Sequence, residues 1–144
     1  MKKIGLLFIF CFSMISTAQE IEVKQSIITF FEGFHAKDTL KIKTVCHPKM
    51  VLQSIAETKK GTKYSEETAQ AFLQSFAKFP KELQFEERLL DYKIQIDGTM
   101  AHVWTPYEFY VNGSFSHSGV NSFTLFSENN QWKIVHLIDT RRKK

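Results

Sequence analysis

The chain reads as an α+β domain in which N-terminal helices pack on an antiparallel sheet, and three observations predict it. Val23, Ile27, Phe30, Phe31 and Phe34 recur at helical spacing, the stripe of a helix lying on a core. After Leu83 the period changes to two, with Leu90, Tyr92, Ile94 and Ile96 alternating against Asp91, Lys93 and Gln95, the mark of a strand with one wet face. Asp97-Gly98, Asn112-Gly113 and Glu128-Asn129-Asn130 then punctuate the C-terminal half. Asn-Gly between alternating strands is a strong hairpin signal. A four-stranded meander covered by helices is the expected result.

Met1 to Ala18 stands apart. Lys2 and Lys3 precede an apolar run from Ile4 to Ile15, and Ser16-Thr17-Ala18 supplies small residues before Gln19. This is the layout of a cleavable export signal, and its apolar run is too short to span a bilayer. Cleavage near Ala18 leaves residues 19–144 as one secreted or periplasmic domain with no membrane span. Cys46 is then the single cysteine, so no internal disulfide forms and the fold rests on its core. The formal charge of +4 owes much to the terminal Arg141-Arg142-Lys143-Lys144. No basic stripe with interleaved aromatics crosses the body, which speaks against a nucleic-acid partner.

In chain order, a helix is expected over Glu20–Lys37, with His35 and Lys37 suiting its C-terminal dipole. Asp38 or Thr39 caps a shorter helix, Leu40–Cys46, closed by Pro48. Met50–Glu57 forms a strand, and Lys59-Lys60-Gly61-Thr62 turns it into a short return through Tyr64. Ser65-Glu66-Glu67-Thr68 opens the next helix. Ala69, Phe72, Leu73 and Phe76 give that helix its buried face, and Pro80 ends it.

Turn lengths set the register. A two-residue Asn112-Gly113 loop pairs Val111 with Ser114 and, continued unbroken, Glu108 with His117 and Trp104 with Asn121. A four-residue third turn pairs Phe126 with Gln131 and brings His136 beside Asn121. A three-residue loop at Asp97-Gly98 aligns Ile94 with His102 and Tyr92 with Trp104. The predicted inner face therefore holds Tyr92, His102, Trp104, Glu108, His117, Asn121, Phe123 and His136. Ala101, Val103, Tyr107 and Phe109 fall outside, an apolar face that predicts a homodimer through the sheets.

Val103-Trp104-Thr105-Pro106-Tyr107-Glu108-Phe109-Tyr110, Gly113, Phe115 to Val120, Phe123 and Trp132-Lys133-Ile134 through Arg142 resemble the nuclear transport factor 2-like superfamily. The nearest likeness is to its secreted bacterial group labelled lumazine-binding. The resemblance implies a cone-shaped fold, a strongly curved antiparallel sheet around helices, and a pocket. Ketosteroid isomerases, polyketide cyclases and dehydratases share that fold, which does not itself fix a function.

Glu108 opposite His117 is the sharpest catalytic candidate, about 5 Å apart between Cβ atoms in a cross-strand pair. Such a pair can poise an imidazole for proton transfer or merely hold register as an ion pair. His136 beside Asn121, with Trp104, Tyr92, Phe123 and His102, reads as an apolar pocket wall carrying a few polar groups. Tyr107 joins them only if a bulge at Pro106 turns it inward. His102 and His117 lie about 20 Å apart at a strand rise of 3.3 Å per residue, so no metal site and no cofactor are expected. The leading expectation is an exported domain that binds a small, partly apolar molecule. The alternatives are an isomerase, cyclase or dehydratase working through the His–Glu pair, and an interaction module whose cone is filled.

Overall fold

The computed structural model describes residues 4–76 and 78–143, with side chains from residue 17 onward. Lys2 and Lys3 of the expected export signal lie outside the described residues. Helix α1 (Ile4–Ala36) leads into α2 (Thr39–Val45), β1 (Cys46–Thr58), β2 (Gly61–Thr68) and α3 (Ala69–Phe76). Strands β3 (Phe85–Leu89), β4 (Lys93–Asp97), β5 (Met100–Val111), β6 (Ser114–Glu128) and β7 (Gln131–Arg142) follow.

The expected stripe of α1 is buried, with Val23, Ile27, Phe30 and Phe31 in the core. The helix stops where Lys37 turns left-handed at φ 55°. There Lys37 N–H donates to Phe34 O and Asp38 N–H to Gly33 O, a Schellman pair that satisfies two terminal carbonyls. Asp38 caps α2, its carboxylate accepting from the N–H groups of Leu40 and Lys41 at 3.0 Å. The return strand β2 runs on through Thr68, so Ser65 to Glu67 are strand residues. Thr68 Oγ1, rather than Ser65, accepts from Ala71 N–H at the start of α3.

The sheet has seven strands in the order β2-β1-β7-β6-β5-β3, with β4 also on β5. It is curved and antiparallel except that β1 runs parallel to β7. The expected meander is present, but its first strand is two. β3 and β4 lie end to end along one edge of β5, and the chain breaks between them at Leu90, which is 60 % exposed.

Register departs from expectation in all three hairpins, in the middle one only beyond the turn. Val111 faces Ser114 as predicted, but a bulge leaves Ser116 unpaired, so Phe109 faces His117 and Glu108 faces Ser118. Trp104 accordingly faces Ser122. At the first turn Asp97 pairs with Met100 across two residues. At the last, Asn129 and Asn130 both take positive φ and Glu128 pairs with Gln131, as in a two-residue primed turn. A second irregularity follows Thr124, where β7 carries one extra residue.

Side chains alternate with period two, so a one-residue slip exchanges the two faces. Ala101, Val103, Thr105 and Tyr107 point inward and are buried, as are Phe123, Leu125, Trp132 and Ile134. The apolar set expected outside is thus the wall of the core beneath α1 and α3, and the reason given for a sheet-to-sheet dimer falls away. Trp104, 43 % exposed, is outside instead.

Candidate functional site

A cavity of about 630 Å³ opens between α1, α3 and the inner face of the sheet. One part is phenyl. Phe30 and Phe34 from α1, Phe72 and Phe76 from α3, Phe85 from β3 and Phe109 from β5 line it. The Phe30 and Phe72 rings stack at 6.0 Å, and Phe85, Phe109 and the His117 imidazole form a stacked ladder. Another part is polar. The pleat aims Glu87 of β3, Tyr107 of β5, His117 and Asn121 of β6, and Asp139 and Arg141 of β7 at the same space, because alternate residues of adjacent strands share a face.

These polar groups hold one another. Asn121 Nδ2 donates to Glu87 Oε1 at 2.6 Å. Arg141 Nε donates to Asp139 Oδ2 at 2.8 Å. The single proton of the Tyr107 hydroxyl has two acceptors in reach, Thr140 O at 2.9 Å and Asp139 Oδ2 at 3.2 Å. That arrangement depends on a distortion of β7. Thr140 Oγ1 accepts from Val120 N–H at 3.1 Å, and the Thr140 carbonyl turns to Tyr107. The position opposite Tyr107 is Gly119, where any Cβ would collide with the Thr140 carbonyl and the Tyr107 ring.

Burial tunes the ionisable members. It pushes the Glu87 carboxyl up to about 7; the Asn121 hydrogen bond works against this rise and the Asp139 charge adds to it. The Tyr107 phenol is raised, first by burial and then by Asp139 and Glu87. His117 is lowered by burial and by Arg141, which favours the neutral imidazole. A carboxyl that ionises near neutrality, beside a buried phenol and an amide, can bind a polar group or exchange a proton with it.

Among the residues singled out from sequence, His117, Tyr107 and Asn121 line this cavity. Tyr107 owes its inward direction to the bulge at Ser116, not to one at Pro106, which pairs regularly with Val120. Phe123 is fully buried in the floor, edge-on to Phe30 and Phe31. Tyr92 packs beside α1 under the Lys24 ammonium, away from the lining. Four residues stand on the opposite face. Glu108 accepts from Tyr110 OH at 2.8 Å, His102 Nε2 lies 3.0 Å from Ser122 Oγ, His136 Nε2 lies 2.9 Å from Gln53 Oε1, and Trp104 faces outward. The Glu108–His117 pair is therefore not formed.

Glu87 is the residue that sequence reasoning missed, because the pattern was read as one strand beginning near Leu90. The alternation Phe85, Glu87, Leu89 was its available signal. The Asp139–Arg141 salt bridge faces into the cavity. Among the described residues no group of three His, Cys, Asp or Glu side chains could hold a metal ion.

No protein-family model and no curated protein matches the chain. Solved structures do. It is similar to a nuclear transport factor 2-like protein from Cytophaga hutchinsonii, with a TM-score of 0.70 at 12% identity over 86% of this chain and 98% of that one. A nuclear transport factor 2-like protein of unknown function from Shewanella baltica gives 0.64 at 11% identity, covering 89% and 97%. A protein of unknown function with a cystatin-like fold from Nostoc punctiforme gives 0.68 at 11%, covering 87% and 92%. Identities this low speak for architecture and not for activity. With its helices packed on a curved, mostly antiparallel sheet, the chain has the nuclear transport factor 2-like fold.

Proposed function

We propose that this chain binds a small, partly apolar molecule in the cavity between α1, α3 and the inner face of the sheet. The observation that carries the reading is the make-up of that cavity's lining: a cluster of phenyl rings together with a cluster of converging polar groups. Its volume of about 630 Å³ falls within the span of small-molecule sites, roughly 300–1,000 Å³. The same volume counts against a cone filled by its own side chains. The rings would take the body of the ligand, while Glu87, Asn121 and Tyr107 would orient its polar end.

A second reading, proton transfer of the isomerase or dehydratase kind, is favoured by one observation. Glu87 ionises near neutrality within hydrogen-bond distance of Asn121, which suits a general acid or base. In that reading Glu87, with His117 and Tyr107 close by, replaces the pair expected from sequence.

Export with cleavage near Ala18 is part of the proposal, supported by the basic start, the apolar run and the small residues before Gln19. So is a place in the group labelled lumazine-binding, supported by the motif from Val103 to Tyr110. A homodimer through the outer face has Trp104 as its support, an exposed indole on an uncovered sheet. Native mass spectrometry of protein purified from its own host tests these points together. A chain mass beginning at Gln19, a doubled assembly mass, and an excess of a few hundred daltons lost on denaturation are the expected results. An unprocessed chain overturns export, and a monomer overturns the dimer. A bare mass that also shows no uptake of small apolar probes overturns the binding function.

A further inference from the structure

We infer that the molecule taken up by this cavity carries a protonated amine on an aromatic-sized apolar body. The inference rests on the cavity being a small-molecule site and names the class of ligand. It begins with the charges on the polar wall. Asp139 and Arg141 form a two-point ion pair, at 2.8 and 3.3 Å, and cancel. Three carboxylates remain on the lining, Glu66, Glu67 and Glu87; Glu66 already accepts from Gln53 Nε2 and Tyr64 OH, which leaves Glu67 and Glu87. The ion pairs among the described residues are Lys41–Glu32, Arg88–Glu86 and Arg141–Asp139; none includes Glu87 or Glu67.

Glu87 has one hydrogen-bond donor, Asn121 on Oε1. No buried side-chain oxygen among the described residues lacks a partner, so Oε2 must be reached from the cavity itself. Of the groups around it, only Arg141 bears a charge that favours the Glu87 carboxylate, and the neighbouring Asp139 outweighs it. His117 on β6 is lowered towards the neutral imidazole, and Tyr107 on β5 is a raised phenol. On β7, Arg141 is committed to Asp139. On α1, His35 Nε2 accepts from the Glu87 backbone N–H. The Lys37 ammonium is spent on the carbonyls of Pro80, Lys81 and Leu83.

An ammonium placed in the cavity meets what this wall lacks. It can donate a charge-assisted hydrogen bond to Glu87 Oε2, and the phenyl rings that share the lining attract a cation. The chain already uses that attraction where Lys37 Nζ lies 5.5 Å from the Phe85 ring centroid. A carboxylate ligand would instead face two unpaired acids, and a neutral alcohol would leave Glu87 uncompensated. Burial, working against the Arg141 charge, raises both Glu87 and Glu67 above the usual carboxylate range, the shift expected of carboxyls taken partly out of water.

The test uses three probes with one skeleton, 4-phenylbutylamine, 4-phenylbutanol and 4-phenylbutyrate, titrated calorimetrically into the full chain at pH 8. The amine should bind about tenfold or more tighter than the alcohol, with the acid weakest. At pH 7, titrations in buffers of different ionisation enthalpy should show protons released on binding the amine and none with the alcohol. Glu87→Gln should cost the amine about tenfold and leave the alcohol within about twofold. If that variant fails to fold, Glu67→Gln and the wild-type comparison of probes still decide. An alcohol that matches the amine, or an acid that binds tightest, overturns the amine inference while the small-molecule reading stands. No binding by any probe up to millimolar concentration overturns both.

Discussion

The two faces of β5 and β6 use similar residue types under opposite rules. Inside, Tyr107, His117 and Asn121 share a confined space with Glu87 and Asp139, and their polar atoms are satisfied largely by one another. Outside, His102, Trp104 and Glu108 meet short local partners or solvent. A histidine, an aromatic and an acid therefore carry no functional meaning of their own; the face decides, and bulges decide the face. The contrast is sharpest for packing. Phe123 is fully buried and Trp104 is 43 % exposed on a neighbouring strand. Phe123→Ala should cost about 3–5 kcal/mol by removing a core ring, and Trp104→Ala less than about 1 kcal/mol. Urea unfolding of the two variants checks this, and equal losses would break the comparison.

Gly119 ranks next. Its partner across the ladder is Tyr107, and an added Cβ would run into the Thr140 carbonyl and that ring. Gly119→Ala should cost about 3 kcal/mol, at the upper end for overpacking, by displacing the phenol from both of its acceptors. Ser122→Ala, three residues further along β6 and facing outward, should stay within about 0.5 kcal/mol. Thermal melts of the pair measure the gap.

Gly119 also shows what was legible in the sequence. The α1 stripe, the Asp38 cap, the strand alternation and the turn positions are local signals, and the structure has each of them. Register is not local. Ser116 and the extra residue after Ile134 enter the ladder with no mark in composition, and each moves every later side chain to the other face. Apolar residues on both faces of β5 made the choice between them look balanced. A glycine directly opposite a tyrosine, with Ala101 and Val103 meeting Leu125 and Phe123, was the pattern that favours the true pairing. β3 was hidden for another reason: five residues give too few alternations to read, so Glu87 escaped notice.

The acid inside the cavity gives a pH dependence that the acid outside should not share. Glu87 titrates near 7 in the folded chain against an ordinary value of 4.5. Between those values the folded state holds a proton that the unfolded state has lost. Stability therefore falls as pH rises from about 4.5 to 7 and levels off above, by about 2–3 kcal/mol. His117, lowered by burial, works the other way below its ordinary value, since the unfolded state then binds the extra proton. The difference between wild type and Glu87→Gln isolates the carboxyl. The variant should lose the downward slope, and an unchanged slope would place Glu87 in solvent.

The smallest effect expected is at Glu108, and it tests the comparison from its other side. Its carboxylate accepts from Tyr110 OH at 2.8 Å, with the Arg88 guanidinium 4.0 Å above the Tyr110 ring. These contacts lie on the outer face, where water can replace each of them, so their net worth is small. Glu108→Gln keeps an acceptor for Tyr110 and should shift stability by no more than about 0.5 kcal/mol. It should leave probe binding in the cavity unchanged, because neither Glu108 nor its hydrogen-bond partner Tyr110 belongs to the lining. A loss of probe affinity on this substitution would mean that the outer face reports to the cavity through β5, and the separation between the two faces would fail at its weakest point.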